Sequence, residues 1–312
     1  MKAIGVALWV CGVAAATAQP LLNPHRNHRA VALPFLRMPA SGPALAEGRR
    51  FELSIAVAND FRMTSDVIED AEVIRLGLRL AWASRLGEVW TEIPHLTRGG
   101  GFLDPLIDAW HDRVLGWSDP VRGSTRFGDA IIARRSLYSF GPASGLGDIT
   151  IGFGRDLGRF TVRAGFKIPT GDPARLLGSG GFDVGAAVER GWRLGPRWES
   201  AAQIGYVLQG SSRRLPGARA QCVQASLAVG LWTSSRDRWA LQWSHEDAPI
   251  DVGVPAIDSG HRQILITYTR VTNRGNFDIF LAEDRDIVNG RRPELANIAP
   301  DVSLGMRWTS RF

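Results

Sequence analysis

The chain has 312 residues, 45% of them apolar and 22% charged, with a formal net charge of +6. That length serves one large domain or two ordinary ones. The composition excludes collagen, bulk disorder and, with two cysteines, a disulfide-stapled scaffold. The basic residues are nearly all Arg and are scattered among acids, which argues against a nucleic-acid surface.

At the N-terminus Lys2 precedes an uncharged run from Ala3 to Ala18 that ends in Ala16-Thr17-Ala18, before Gln19. A basic start, a short apolar stretch and small closing residues read as a secretory signal over 1–18, leaving a domain over 19–312. Cys11 leaves with the signal, so Cys222 has no intramolecular partner. Beyond the signal, no segment is long and apolar enough for a transmembrane helix.

From residue 51 onward the dominant period is two. Phe51, Leu53, Ile55 and Val57 alternate with Glu52, Ser54 and Ala56. Ile74, Leu76, Leu78, Leu80 and Trp82 alternate with Arg75, Gly77, Arg79 and Ala81. The rhythm returns over 149–153, 160–168, 184–188, 198–208, 223–231, 239–243, 264–268, 277–281 and 302–312. It puts one face in an apolar medium and the other in water. Runs of about ten residues match tilted membrane-spanning strands. Trp82, Trp90, Trp192, Trp198, Trp232, Trp239 and Trp308 fall near strand ends, as an aromatic girdle at the two membrane interfaces requires. Short connections (157–159, 193–196, 234–237, 272–276) alternate with long ones (169–181, 209–218, 246–260, 286–299), as periplasmic turns alternate with extracellular loops. The final residues, with Trp308 and Phe312 on one face, resemble the closing-strand signal of bacterial outer-membrane barrels, Ser310 being the departure.

The expectation is an all-β fold, a transmembrane antiparallel β-barrel of 12 to 14 strands. About thirteen candidate segments emerge, including 86–93 and 127–138, whereas bacterial single-chain barrels have an even number. Adding a first strand near Val31–Arg37 gives 14; dropping Leu86–Ile93 gives 12. Residues 94–126 break the rhythm. Asp104-Pro105 reads as an N-cap with Pro at the first helical position, and Leu106, Ile107, Trp110 and Val114 recur at helical spacing. A short amphipathic helix over 104–115 follows, in the lumen or against one mouth, where it would plug or gate.

Three segments carry a family resemblance. They are Gly100-Gly101-Phe102-Leu103-Asp104 with Trp110-His111-Asp112; Gly145-Leu146-Gly147-Asp148; and Lys167-Ile168-Pro169-Thr170-Gly171-Asp172 followed by Gly178-Ser179-Gly180 and Asp183. Together they resemble an uncharacterised family of proteobacterial envelope proteins, known only as a domain of unknown function. The Pro-Thr-Gly-Asp part is also similar to outer-membrane families linked to uptake of small organic molecules. The resemblance implies a barrel-like envelope protein and no activity.

Arg75, Arg79, Arg163, Lys167 and Arg307 fall on the lumen face, as do Glu189, Glu199, Asp278 and Asp284. They read either as a cross-strand ion-pair network in a filled barrel or as a charged constriction that selects solutes. Asp108, His111 and Asp112 share a helix face, which suits a solvated polar face better than a metal site. His245-Glu246-Asp247 opens an outer loop where a rim hydrolase would carry its base, but no G-x-S-x-G marks a nucleophile. The glycines of 145–154 lead into a period-two run, not a helix, so they form no nucleotide loop.

The leading expectation is therefore a channel for a small polar or amphiphilic solute, reached in the outer membrane by signal-directed export. It uses no cofactor and no catalytic residue. Its expected partners are outer-membrane lipid and lipopolysaccharide, the barrel assembly machinery and an unknown small solute, with no nucleic acid. A closed structural or binding barrel, an outer-membrane hydrolase or lipid-modifying enzyme, and a soluble periplasmic β protein are the alternatives.

Overall fold

In the computed structural model, residues 20–63, 66–103, 130–253, 260–284 and 302–312 are described, with the single residues 105, 109, 113 and 258. The signal segment and Asp104, Asp108, Trp110, His111 and Asp112 of the expected helix lie outside the described residues.

Twelve antiparallel strands close a barrel. Three come early: β1 (Arg49–Met63), β2 (Val67–Ser84) and β3 (Gly87–Gly99). Then β4 (Ile131–Arg134), β5 (Tyr138–Phe140) and β6 (Ala143–Leu146) form short outer extensions. The remaining wall strands are β7 (Ile149–Leu157), β8 (Phe160–Ile168), β9 (Asp183–Arg193), β10 (Trp198–Leu208), β11 (Gln221–Trp232), β12 (Asp237–Glu246), β13 (His261–Thr272), β14 (Gly275–Asp284) and β15 (Val302–Arg311). Each wall strand pairs with its neighbour, and β15 closes on β1 with Trp308 opposite Leu53 and Ser310 opposite Phe51. β3 bridges the long excursion by pairing with β7 through 88–92 and with β6 through 95–98.

The even count arises differently from both expected routes. Leu86–Ile93 is no weak segment; most of it lies in β3. The run to be set aside is 127–138, whose described part forms the β4–β5 hairpin laid on the outer end of β2. Val31–Arg37 is not a strand either. It is a tight turn in which the Ala32 and Leu33 N–H groups both donate to the Arg29 carbonyl, at 2.8 and 3.2 Å.

The surface is inverted relative to a soluble protein. Leu53, Leu76, Ile204, Leu227, Leu241 and Ile266 are exposed outward, while Arg79, Arg163, Lys167, Glu189 and Arg307 are buried inward. Buried ionic groups with exposed aliphatic ones suit a wall whose outer solvent is hydrocarbon.

Trp82, Trp192, Trp198, Trp239 and Trp308 are exposed, and all sit toward the short-turn end. The other end carries Phe166, Phe182, Tyr206 and Trp243 instead. Trp90 departs from the girdle. It is 0% exposed and points into the lumen, where Gly152 of β7 makes room for it: a Cβ there would meet the indole at 2.3 Å.

Candidate functional site in the lumen

The lumen is occupied by the chain itself. Residues 20–45, which precede β1, are almost continuously buried inside the barrel. The segment enters at the short-turn end, where the Pro20 carbonyl accepts from Arg238 Nη2 at 2.8 Å. It climbs past mid-barrel, where Asn23 N–H donates to Gln242 Oε1 at 2.7 Å. It turns at 29–35 near the outer end and returns to Leu45, whose N–H donates to Glu88 Oε2 at 3.0 Å near the start of β3. We call it the plug.

Five of its residues are proline: Pro20, Pro24, Pro34, Pro39 and Pro43. Each removes a backbone donor that neither a helix nor a ladder would satisfy here. Many of the remaining donors are met by wall side chains. Asp60 accepts from Ala30 at 2.7 Å, Asp183 from Leu36 at 2.7 Å and Gln224 from Met38 at 3.1 Å. Glu189 accepts from both Ser41 and Gly42, at 3.1 and 2.9 Å, and Asp156 from Ala44 at 3.0 Å. Wall cations and amides meet plug carbonyls in turn: Gln203 donates to Pro39 at 3.0 Å, Arg50 to Ser41 at 3.1 Å, and Arg163 to Gly42. Bonds to charged groups contribute about 1.5–3 kcal/mol each, so the plug is firmly seated.

A row of glycines shapes the seat. Gly152, Gly165 and Gly185 are cross-strand partners on β7, β8 and β9. A Cβ on Gly165 would stand 3.1 Å from Met38 Sδ, and one on Gly185 only 2.8 Å. Their place in the lumen is to admit Trp90 and the plug's Met38, which is itself 0% exposed.

At the outer end the plug's turn joins an apolar cluster. Val31, Leu33 and Phe35 pack with Val73 and Leu96 of the wall, Ile132 and Phe140 of the outer extension, and Leu177, Leu215 and Ile250 of three long loops. The barrel is therefore closed twice, by polar clamping along the lumen and by apolar packing beneath the loops.

The expected lumen residues whose side chains are described all face inward, and most are closely paired. Arg163 meets Glu189 at 3.1 Å, Arg307 meets Asp278 at 2.6 Å, and Arg238 meets Glu199 at 2.8 Å. Arg75 pairs with Glu92, and Arg79 lies 3.8 Å from Glu88. The side chain of Asp284 lies outside the described ones.

Two of the three resembling segments, 145–148 and 167–183, form one latch. Lys167 Nζ donates to Asp148 Oδ2 at 2.6 Å, Ser179 Oγ at 2.7 Å and the Gly181 carbonyl at 2.9 Å, and lies 3.5 Å from Asp183. Asp148 also accepts from Gly171 and Ser179 N–H at 2.9 and 3.0 Å. Thr170 Oγ1 donates to the Gly147 carbonyl at 2.9 Å, and Asp172 caps the short turn that begins at Pro173, next to the Pro169-Thr170-Gly171 corner. Asp148 faces inward because Gly147–Ile149 bulges opposite Ile93-Pro94, where the proline has no N–H to offer.

The expected rim residues 245–247 divide between the two faces of the wall. His245 Nε2 meets Asp247 Oδ1 at 3.1 Å on the outer face, while Glu246 turns inward and holds Arg37 of the plug at 3.1 Å.

The plug was not legible in the period-two pattern. Its composition, five prolines with Asn, His and Arg among aliphatics, was the available signal. The fold is that of an outer-membrane β-barrel. An outer-membrane channel from Pseudomonas putida F1 superposes with TM-score 0.52 at 15% identity, over 89% of this chain and 100% of that one. A monoaromatic hydrocarbon channel (TM-score 0.43, 9% identity, 93% and 99% covered) and a toluene transporter from Pseudomonas putida (TM-score 0.41, 10% identity, 93% and 98% covered) are more distant. No protein-family model and no curated protein matches the chain.

Proposed function

We propose that this protein is an outer-membrane channel for small solutes whose closed state is the plugged barrel, opened when residues 20–45 leave or rearrange in the lumen. The observation that carries the reading is the chemistry of the seat. A closed barrel can be filled by its own wall side chains in ion pairs, whereas here a separate segment, 20–45, fills the lumen, and the wall holds it with carboxylates, amides and guanidinium groups. Those groups serve equally well in contact with water once the plug moves. The signal reading adds to this. Cleavage before Gln19 leaves the first leg of the plug as a free end at the short-turn mouth, tethered only through 46–48 to β1. Arg75, Arg79, Arg163, Lys167, Arg307, Glu189 and Glu199 then become a mixed-charge lining in the open state, and their selectivity acts only there. The fold likeness to an outer-membrane channel supports the same reading, as does the outward aliphatic belt for residence in that membrane. We place lipid and lipopolysaccharide against that belt and assign no catalytic role.

The test is conductance in planar bilayers. The full mature chain is expected to give small or infrequent openings, and a chain lacking Pro20–Leu45 a large and steady conductance. The filled lumen favours one competing reading, a permanently closed barrel. That reading would prevail if the shortened chain, inserted and folded, stayed silent.

A further inference from the structure

We propose that the plugged lumen contains a binding site for one small monovalent anion, a halide or the carboxylate of a short acid, between the first leg of the plug and the inner faces of β1, β2 and β15. A cavity of about 50 Å³ remains there. It is lined by five arginines, Arg26, Arg37, Arg75, Arg79 and Arg307, against two carboxylates, Glu52 and Glu92. The site belongs to the closed barrel and holds whether or not solute passes.

The hydrogen-bond inventory points to a missing acceptor. Arg79 donates through Nη1 to Ser41 and lies 4.7 Å over the Trp90 ring, but its Nε and Nη2 find no acceptor among the described residues, although the residue is only 4% exposed. Arg307 grips Asp278 through Nε and Nη2, leaving Nη1 without a hydrogen bond. His25, on the plug, has no hydrogen-bond partner for either ring nitrogen among the described residues. Buried donors of this kind are rare, and each unmet one is costly.

The charges point the same way. Around the cavity the ion pairs among the described residues join Arg26, Arg37, Arg50, Arg75, Arg79, Arg163 and Arg307 to Glu52, Glu88, Glu92, Glu189, Glu246 and Asp278. That is seven guanidinium groups to six carboxylates, and Arg79 has no carboxylate within hydrogen-bond distance among the described residues. Its carboxylate, Glu88, stands 3.8 Å away and already takes Arg50 at 2.7 Å. Water could meet the donors but would leave a buried charge uncompensated; an anion answers both. The volume admits a halide or a carboxylate group and excludes a bulky acid. An anion there bridges plug and wall, so it stabilises the closed barrel.

The experiment uses the mature protein in detergent, at constant ionic strength, with bromide, formate or the bulky gluconate as the anion. Crystals grown in bromide are expected to show an anomalous peak in contact with Arg79 and Arg307. The thermal midpoint is expected to rise saturably with bromide or formate and not with gluconate. The anion that acts at lower concentration separates a halide site from a carboxylate site. Ala56→Leu fills the cavity without touching a charge, and Arg79→Gln removes the surplus one; both are expected to lose the bromide response. Water alone in the bromide crystals together with equal midpoints in all three salts overturns the proposal. So does a response that persists in both variants.

Discussion

Asp183, the first residue of β9, accepts the N–H of Leu36 at 2.7 Å, a contact spanning 147 residues of chain. The same carboxylate accepts from Gly210 at 3.0 Å and stands 3.5 Å from Lys167. One side chain therefore ties the plug, the 209–220 loop and the Lys167 latch together. Moving the plug loosens two outer loops at once.

Asp183→Asn is expected to weaken that tie by about 1–3 kcal/mol, the usual effect of losing a charged acceptor. If plug movement is the opening step, the ratio of open to closed states rises roughly 5- to 150-fold. Open probability in single-channel records checks this. An unchanged record would disconnect Asp183 from gating.

Locking the plug should do the opposite. A Cβ on Gly185 would lie 3.1 Å from Met38 Cγ, where a cysteine sulfur would sit. The geometry suits a disulfide between Met38→Cys and Gly185→Cys. The oxidised double variant is expected to be silent in bilayers and the reduced one to recover openings. Cys222 is buried and does not interfere.

Acid should favour the open state. His25 and His28 stack at 4.5 Å on the plug, inside the barrel. Burial, followed by neighbouring His28 and Arg37, holds His25 well below the ordinary imidazole range, and burial brings His28 down to about 3. Both are neutral when the plug is seated. A histidine whose value is lowered in the closed state supports that state fully above its ordinary value near 6.5 and progressively less as pH falls toward 3. Openings are therefore expected to increase below about pH 6, and His25→Asn with His28→Asn to flatten the profile. A flat wild-type profile between pH 7 and 4 would refute this.

The outward belt makes its own prediction. Ile204, at the middle of β10, is 61% exposed. Ile204→Arg should destabilise the inserted barrel by about 2–4 kcal/mol, the range for a cation at the bilayer midplane. Its neighbour Gln203 faces inward on Pro39, so Gln203→Ala is expected to leave insertion intact and affect only the plug. Urea titration in lipid vesicles separates the two.

Sequence alone determined the wall. Strand alternation is a local property, because a period of two sends side chains to opposite faces whatever the rest of the chain does. So Arg75, Arg163, Glu189 and Arg307 were legible as lumen residues, and Trp308 with Phe312 as the closing strand. Trp90 was misplaced because a tryptophan near a strand end signals an interface only when it faces outward, and Gly152 on another strand decides that it faces in. The twelve strands fall within the expected 12 to 14, but which segment to set aside was not legible, for a related reason. A run such as 127–138 alternates equally well in a barrel wall or in an outer hairpin, and pairing with β2 alone distinguishes them. The plug belongs wholly to tertiary structure. Its residues have no repeat because their hydrogen-bond partners are mostly side chains from ten different wall strands, not a neighbouring ladder. Only the closed barrel brings Asp60, Asp183, Glu189 and Glu88 to one axis, and that convergence turns an irregular, proline-rich leader into the element that occupies the lumen.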